Sequence, residues 1–285
     1  MGGNPRTELR VVLADLAFPE SPRWRDGRLW VADWGANEVI ALALGGRAEV
    51  VARVPSFPMC IAHLPDGRLV VVDSTERRLL RREPDGSLVP HADLAALGSH
   101  PWNDIVVDGR GNAYVNNIGF EFPAGEVGPG FVALVTPDGV ASQAADDLAF
   151  PNGMAITPDN ATLIVAESYA RKLTAFEIGD DGSLSKRRTW AAVDDHPDGI
   201  CLDADGAVWY ADVASRRCVR VREGGEVLQV IELDRGCFAC VLGGPGRRTL
   251  FMTVNEWSGP EGIGGGSRMG QVIAADAPAP GAGWP

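Results

Sequence analysis

An all-β architecture built from six repeats is what the 285-residue sequence predicts, and three observations carry it. First, one pattern recurs six times: an apolar strand, a turn built on Asp-Gly or an equivalent, then a second apolar strand. The copies are "ESPRWRDGRLWVAD", "MCIAHLPDGRLVVVD", "NDIVVDGRGNAYVNN", "NGMAITPDNATLIVAE", "DGICLDADGAVWYAD" and "ACVLGGPGRRTLFMTV". Aligned on the turn, they begin at Glu20, Met59, Asn103, Asn152, Asp198 and Ala239, at intervals of 39, 44, 49, 46 and 41 residues by subtraction. Second, each copy is followed by a further strand-like run, such as "EVIALAL", "FVALVTP" or "QVIAADA". Third, helical periodicity is nearly absent, with "HADLAALG" supplying one short turn of helix and little more.

Three or four short strands in roughly 40 to 50 residues is the size of one β-propeller blade, and tandem blades bury each other's sheet faces. The prediction is a single six-bladed β-propeller domain over residues 1–285, with repeats beginning near 20, 59, 103, 152, 198 and 239. A β-sandwich would not explain a shared motif at blade spacing. The N-terminal "LRVVLADL" is placed as the missing outer strand of the last blade, closing the ring, and residues 276–285 are read as a loosely ordered tail.

Composition agrees with one β-rich core broken into short segments: 45% hydrophobic residues, 35 Gly and 20 Pro. The net charge of −12, with basic residues such as Arg77, Arg78, Arg81 and Arg82 scattered along the chain, argues against nucleic acid or an anionic membrane as partner. The start "MGGNPRTELRVVLADL" has no basic region followed by an apolar run, and no later segment reaches the roughly 18 apolar residues of a membrane span. A cytoplasmic protein is expected. Five cysteines form an odd set that suits a reducing compartment, and the lone C-x-x-C of Cys237 and Cys240 is read as buried thiols.

In a propeller the innermost strand of each blade runs along the central channel, so the six repeat starts should surround one mouth of it. Glu20, Asn103, Asn152 and Asp198 offer oxygen there; Met59 and Ala239 do not. Two carboxylates and two amides crowded around one axis are costly to bury unpaired, because each anion loses hydration and the two repel. A bound divalent cation answers both costs. Hard oxygen donors without His or Cys suit Ca²⁺ best and admit Mg²⁺, Mn²⁺, Zn²⁺ or Fe²⁺. A second series, Asp33, Asp73, Glu167 and Asp212 with Asn117 in the third copy, ends the second strand of each hairpin and is read as structural.

The motifs "PESPRW", "ND" at Asn103–Asp104 followed by "VVDGRGNAYV", "FPNGMAITPD", "HPDGICLDADGAVWYA" and "GGPGRRTLFMT" together resemble the SMP-30/gluconolactonase family of six-bladed propeller hydrolases, over roughly residues 15–275. The resemblance implies that Glu20, Asn152 and Asp198 bind a divalent metal, with Asn103 a fourth ligand or a substrate contact. It also implies lactone opening, in which the metal polarises the carbonyl and activates water, and Asp198 is the candidate base. Two departures fall on the substrate side: the family's usual Arg two residues before the Asn-Asp pair is Pro101 here, beside His100, and its Gly-Thr-Met is Asn116-Asn117-Ile118. His100, Asn103, Asn117 and Glu121, the last in the loop "GFEFPAGEVGPG", are the substrate-side candidates. The expected partner is a small-molecule lactone or ester. Two rival readings stay open on the sequence: a phosphotriesterase-like organophosphate hydrolase on the same metal site, and a non-catalytic ligand- or partner-binding propeller with a structural cation.

Overall fold

The computed structural model describes residues 8–262 and 268–283. Their strands form six four-stranded antiparallel sheets, and the innermost strands contact one another in cyclic order around a central channel. The architecture is a six-bladed β-propeller. Inner strands begin at Pro19, Met59, Trp102, Pro151, Ile200 and Gly236, within three residues of the predicted starts.

The burial of each strand follows its distance from the axis. Met59–His63 and Leu69–Asp73 are buried throughout, because neighbouring blades cover both faces, whereas the fourth strand Ala48–Arg53 is largely exposed. Large side chains such as Trp102, Trp209, Tyr114 and Phe251 fill the spaces within and between blades. The N-terminal strand Arg10–Leu16 pairs antiparallel with Gly270–Asp276 and supplies the fourth strand of the sixth sheet. This pairing ties the N-terminal strand to the last blade and so holds the sixth blade to the first.

Two expectations are corrected. The segment "HADLAALG" ends the outer strand of the second blade and then forms a turn, Leu97 N–H donating to the Leu94 carbonyl at 3.1 Å. The tail, as far as residue 283, is fastened rather than loose: Ala277, Gly281 and Ala282 donate backbone hydrogen bonds to Arg248, Arg247 and Leu202, and Ala204 donates to Pro280. Its small residues permit this approach, since a Cβ on Gly281 would lie 2.9 Å from Leu242 Cβ. Residues 281–283 thereby line the narrow end of the channel, a cavity of about 30 Å³. Most of the glycine-rich run "GIGGGSRMG" lies outside the described residues. No helix among the described residues is long and apolar enough to cross a membrane.

Candidate metal centre at the channel mouth

Glu20, Asn103, Asn152 and Asp198 do converge, on the floor of one cavity of about 300 Å³ at the channel mouth. Local backbone irregularity aims them. The ladders break between Glu20 and Arg23, between Trp102 and Ile105, and between Pro151 and Met154, so Asn103 and Asn152 lie within irregular, bulged stretches and Glu20 borders one. A bulge turns a side chain out of the sheet's alternation. Met59, which offers no oxygen, pairs regularly with Asp73. Asp198 precedes its strand, its N–H donating to the Ala211 carbonyl at 2.9 Å.

The glycines after Asn152 and Asp198 serve close approach rather than turn geometry. Gly153 N–H donates to the Asp198 carbonyl at 3.1 Å and Gly199 N–H to the Phe238 carbonyl at 2.8 Å, stitching blade 4 to 5 and 5 to 6. A Cβ on Gly153 would stand 2.5 Å from the Asp198 carbonyl oxygen, and one on Gly199 2.3 Å from Ala239 Cβ.

The electrostatics are those of a site short of positive charge. Burial, with a further contribution from Asp104, pushes Glu20 up from an ordinary 4.5 to about 8, despite the Ser21 N–H donated to its Oε2 at 2.7 Å. Asp198 keeps an edge open to the cavity, yet burial and then the nearby Glu20, Asp212 and Asp104 raise it well above the usual carboxylate range. The amides are already oriented: Asn103 Nδ2 donates to Asn152 Oδ1 at 3.1 Å, and Asn152 Nδ2 to Ser168 Oγ at 3.3 Å. Among the described residues no group of three or more His, Cys, Asp or Glu forms a metal cluster. The donors here are two carboxylates and two amides, hard oxygens whose two acids resist ionising without a cation, and that set fits a hard divalent ion.

Sequence reasoning missed the supports beneath the ring. Asp104, directly after Asn103, is buried; it accepts from Arg23 at 2.9 Å and from the Met154 N–H at 3.0 Å. Asn116 spans blades 3 and 4, accepting the Asp104 N–H at 3.1 Å and donating to the Asn152 carbonyl at 2.6 Å. The Cys60 thiol contacts the Asn103 carbonyl, and all five cysteines are free.

The strand-end series has the structural role expected of it. Asp33 accepts the N–H groups of Ala17 and Phe18, Glu167 that of Ala149, and Asp212 that of His196, so each carboxylate holds the segment leading into its own blade's ring residue. Asn117 belongs to this series and not to the substrate side. Its side chain is fully buried, donates to the His100 carbonyl at 2.6 Å and accepts the Gly119 N–H at 3.0 Å. His100 is likewise absent from the cavity lining, where Pro101 stands instead. Glu121 does line it, from an exposed position in its loop.

The walls above the floor are aromatic. Phe57, Trp34, Phe18, Phe238 and Trp257 make one continuous array over blades 2, 1 and 6, with neighbouring ring centroids 4.8–6.0 Å apart. Across the cavity Phe122 packs on Phe150 at 5.3 Å.

The family description SMP-30/Gluconolactonase/LRE-like region matches residues 18–256. The chain belongs to this family. Regucalcin of Xenopus laevis is 28% identical over 161 residues, 53% of this chain and 54% of that protein. The 6-deoxy-6-sulfogluconolactonase of Pseudomonas putida is 30% identical over 117 residues, 39% of this chain and 40% of that protein. The same fold is seen in a luciferin-regenerating enzyme, with a TM-score of 0.82 at 19% identity, covering 96% of this chain and 97% of the other. The aligned segments thus span about half or less of the two curated relatives.

Proposed function

We propose that this protein is a divalent-metal-dependent hydrolase that opens a lactone. The observation that carries the reading is the convergence of Glu20, Asn103, Asn152 and Asp198 on the floor of one cavity of about 300 Å³, with both acids raised by burial. Membership of a lactonase-type family, with a sulfogluconolactonase among the relatives, supports the reaction class.

Glu20, Asn152 and Asp198 would hold the ion, Ca²⁺ by the chemistry of the donors, with Asn103 a fourth ligand or a contact to the substrate. Bound there, it supplies Lewis-acid polarisation of a carbonyl and a lowered pKa for water. Asp198 is the more exposed of the two acids, which supports it as the group that would orient water and accept its proton. Glu20, pinned by the Ser21 N–H, is a ligand only. Asn116 and Ser168 fix the position and orientation of Asn152 through its carbonyl and its amide.

Stripping divalent ions should abolish lactone hydrolysis and readdition restore it, while Asp198→Asn should reduce kcat by at least about a hundredfold. Full activity in the stripped protein ends the proposal; full activity in Asp198→Asn ends only the assignment of the base. The apolar walls also favour a second reading, phosphotriester hydrolysis on the same site, and a phosphotriester in the same assay panel separates the two. An ion bound tightly with no turnover of either substrate class points to the non-catalytic propeller.

A further inference from the structure

The walls of the cavity say more about its occupant than the floor does. Besides the four ring residues, eleven apolar side chains line the cavity, seven of them aromatic, and Glu121 is the single further polar one among the described residues. Five of the nine phenylalanines in the chain are gathered here. Of the two indoles that line the cavity, Trp34 has its donor already engaged, Nε1–H donating to the Met59 carbonyl at 2.5 Å.

Two of these rings are held at a cost to the fold. Phe57 is 44% exposed although it stacks edge-on against Trp34 and Phe18. Phe150 adopts φ of +56°, a left-handed conformation unfavourable for a bulky residue, and its ring lies against Phe122 and Tyr169. Strain and exposure at one cavity are what a binding surface retains and a core does not need.

We propose that the site selects lactones or esters carrying an apolar, above all aryl, substituent, held between the Phe18–Trp34–Phe57 and Phe122–Phe150 walls, and discriminates against polyhydroxylated lactones. This rests on the lactonase reading and adds the substrate class to it. A lactone carbonyl reaches the oxygen ring while its substituent displaces water from the aromatic faces. A sugar lactone presents hydroxyls on every side, and aromatic faces pack only its C–H faces. Each hydroxyl carried into this cavity without a partner loses its water hydrogen bonds with nothing in return.

The test compares γ-phenyl-γ-butyrolactone with D-glucono-1,5-lactone, which are matched in the number of non-hydrogen atoms. Binding to the metal-free protein is measured by calorimetry, and kcat/KM is measured with Ca²⁺ added. The expected result is a preference of at least tenfold for the phenyl compound in both, about 1.4 kcal/mol. Phe57→Ser, at an exposed position, and Trp257→Ala should each weaken the phenyl compound about fivefold or more, and by a clearly larger factor than they weaken gluconolactone. Equal or tighter binding of gluconolactone, or no binding of the phenyl compound, overturns the proposal, as do variants that weaken both compounds alike. If gluconolactone is both bound and turned over better, the lactonase reading stands and the substrate class falls. If the phenyl compound binds preferentially but neither is hydrolysed, the catalytic reading falls and the selectivity of the cavity stands.

Discussion

Arg23 and Asp104 meet at 2.9 Å across blades 1 and 3, in a small cavity that also touches Glu20, Asn103 and Asn152. This pair puts a third carboxylate next to the oxygen ring and neutralises it with one cation. Asp104→Asn keeps an acceptor for the Met154 N–H but leaves the Arg23 charge uncompensated beside the ring. We predict that divalent-ion affinity, measured by calorimetry, falls about 10–100-fold, the range for groups just outside a metal's ligands. Unchanged affinity would show that Asp104 only anchors the blade.

The raised acid of Glu20 makes a prediction about pH. Between 4.5 and about 8 the folded, metal-free protein holds a proton on Glu20 that the unfolded chain has released. Stability is therefore full below the lower value and is lost as pH rises through the upper one, by roughly 1.4 kcal/mol per pH unit for one group. Asp198, shifted the same way, adds to this slope. Melting curves of stripped protein should fall across this window, saturating Ca²⁺ should flatten the fall, and Glu20→Gln should make it shallower without metal, leaving the part due to Asp198, while abolishing the metal-induced shift. A stripped protein equally stable at pH 5 and pH 8 contradicts the electrostatic account of the ring.

How far the sequence revealed this site depends on how each residue arrives there. Glu20, Asn103, Asn152 and Asp198 were legible because each stands at the same distance from a recurring hairpin turn, and the repeat alone fixes their register. The bulges that aim them left no trace in the pattern, since one extra residue in a strand looks the same in sequence whichever way it faces. Asn117 was misassigned to the substrate side although it shared the strand-end register with Asp33 and Glu167, which is the role it has. The pair Arg23–Asp104 joins blades 81 residues apart, and the aromatic walls come mostly from loops without periodicity. The tail looked loose because its Ala, Gly and Pro residues carry no apolar bulk, yet small size is what lets its backbone pair with blades 5 and 6.

The strand-end carboxylates should divide by what they lead into. Glu167 accepts from the Ala149 N–H at 2.9 Å and from Thr174 Oγ1 at 2.5 Å, with Lys172 Nζ at 3.3 Å, and the segment it holds carries Phe150 and Asn152. Asp73 accepts from the Glu76 N–H and Arg78 in blade 2, whose ring position is Met59. Glu167→Gln and Asp73→Asn should each cost about 2 kcal/mol in chemical denaturation, as charged hydrogen bonds are lost. Only Glu167→Gln should also weaken divalent binding, and equal metal affinity in the two variants would contradict the division.

Gly199 offers the sharpest steric test of how tightly the ring is drawn. Its φ is not in the left-handed region, so alanine there suffers no backbone strain; the whole penalty is overlap, with Ala239 Cβ at 2.3 Å and Ala239 Cα at 2.5 Å from the added atom. Gly206 is the converse, with φ of +76° and open space around a Cβ. Gly206→Ala should therefore cost only about 1 kcal/mol, from the backbone, and leave ion binding alone. Gly199→Ala should cost about 1–3 kcal/mol or more and push blade 5 away from blade 6, carrying Asp198 with it and weakening the ion. Adding Ala239→Gly removes the nearer of the two clashes, so the double variant should recover part of both stability and affinity. Failure of that partial rescue would mean that Gly199 is required for something other than the close approach of the inner strands.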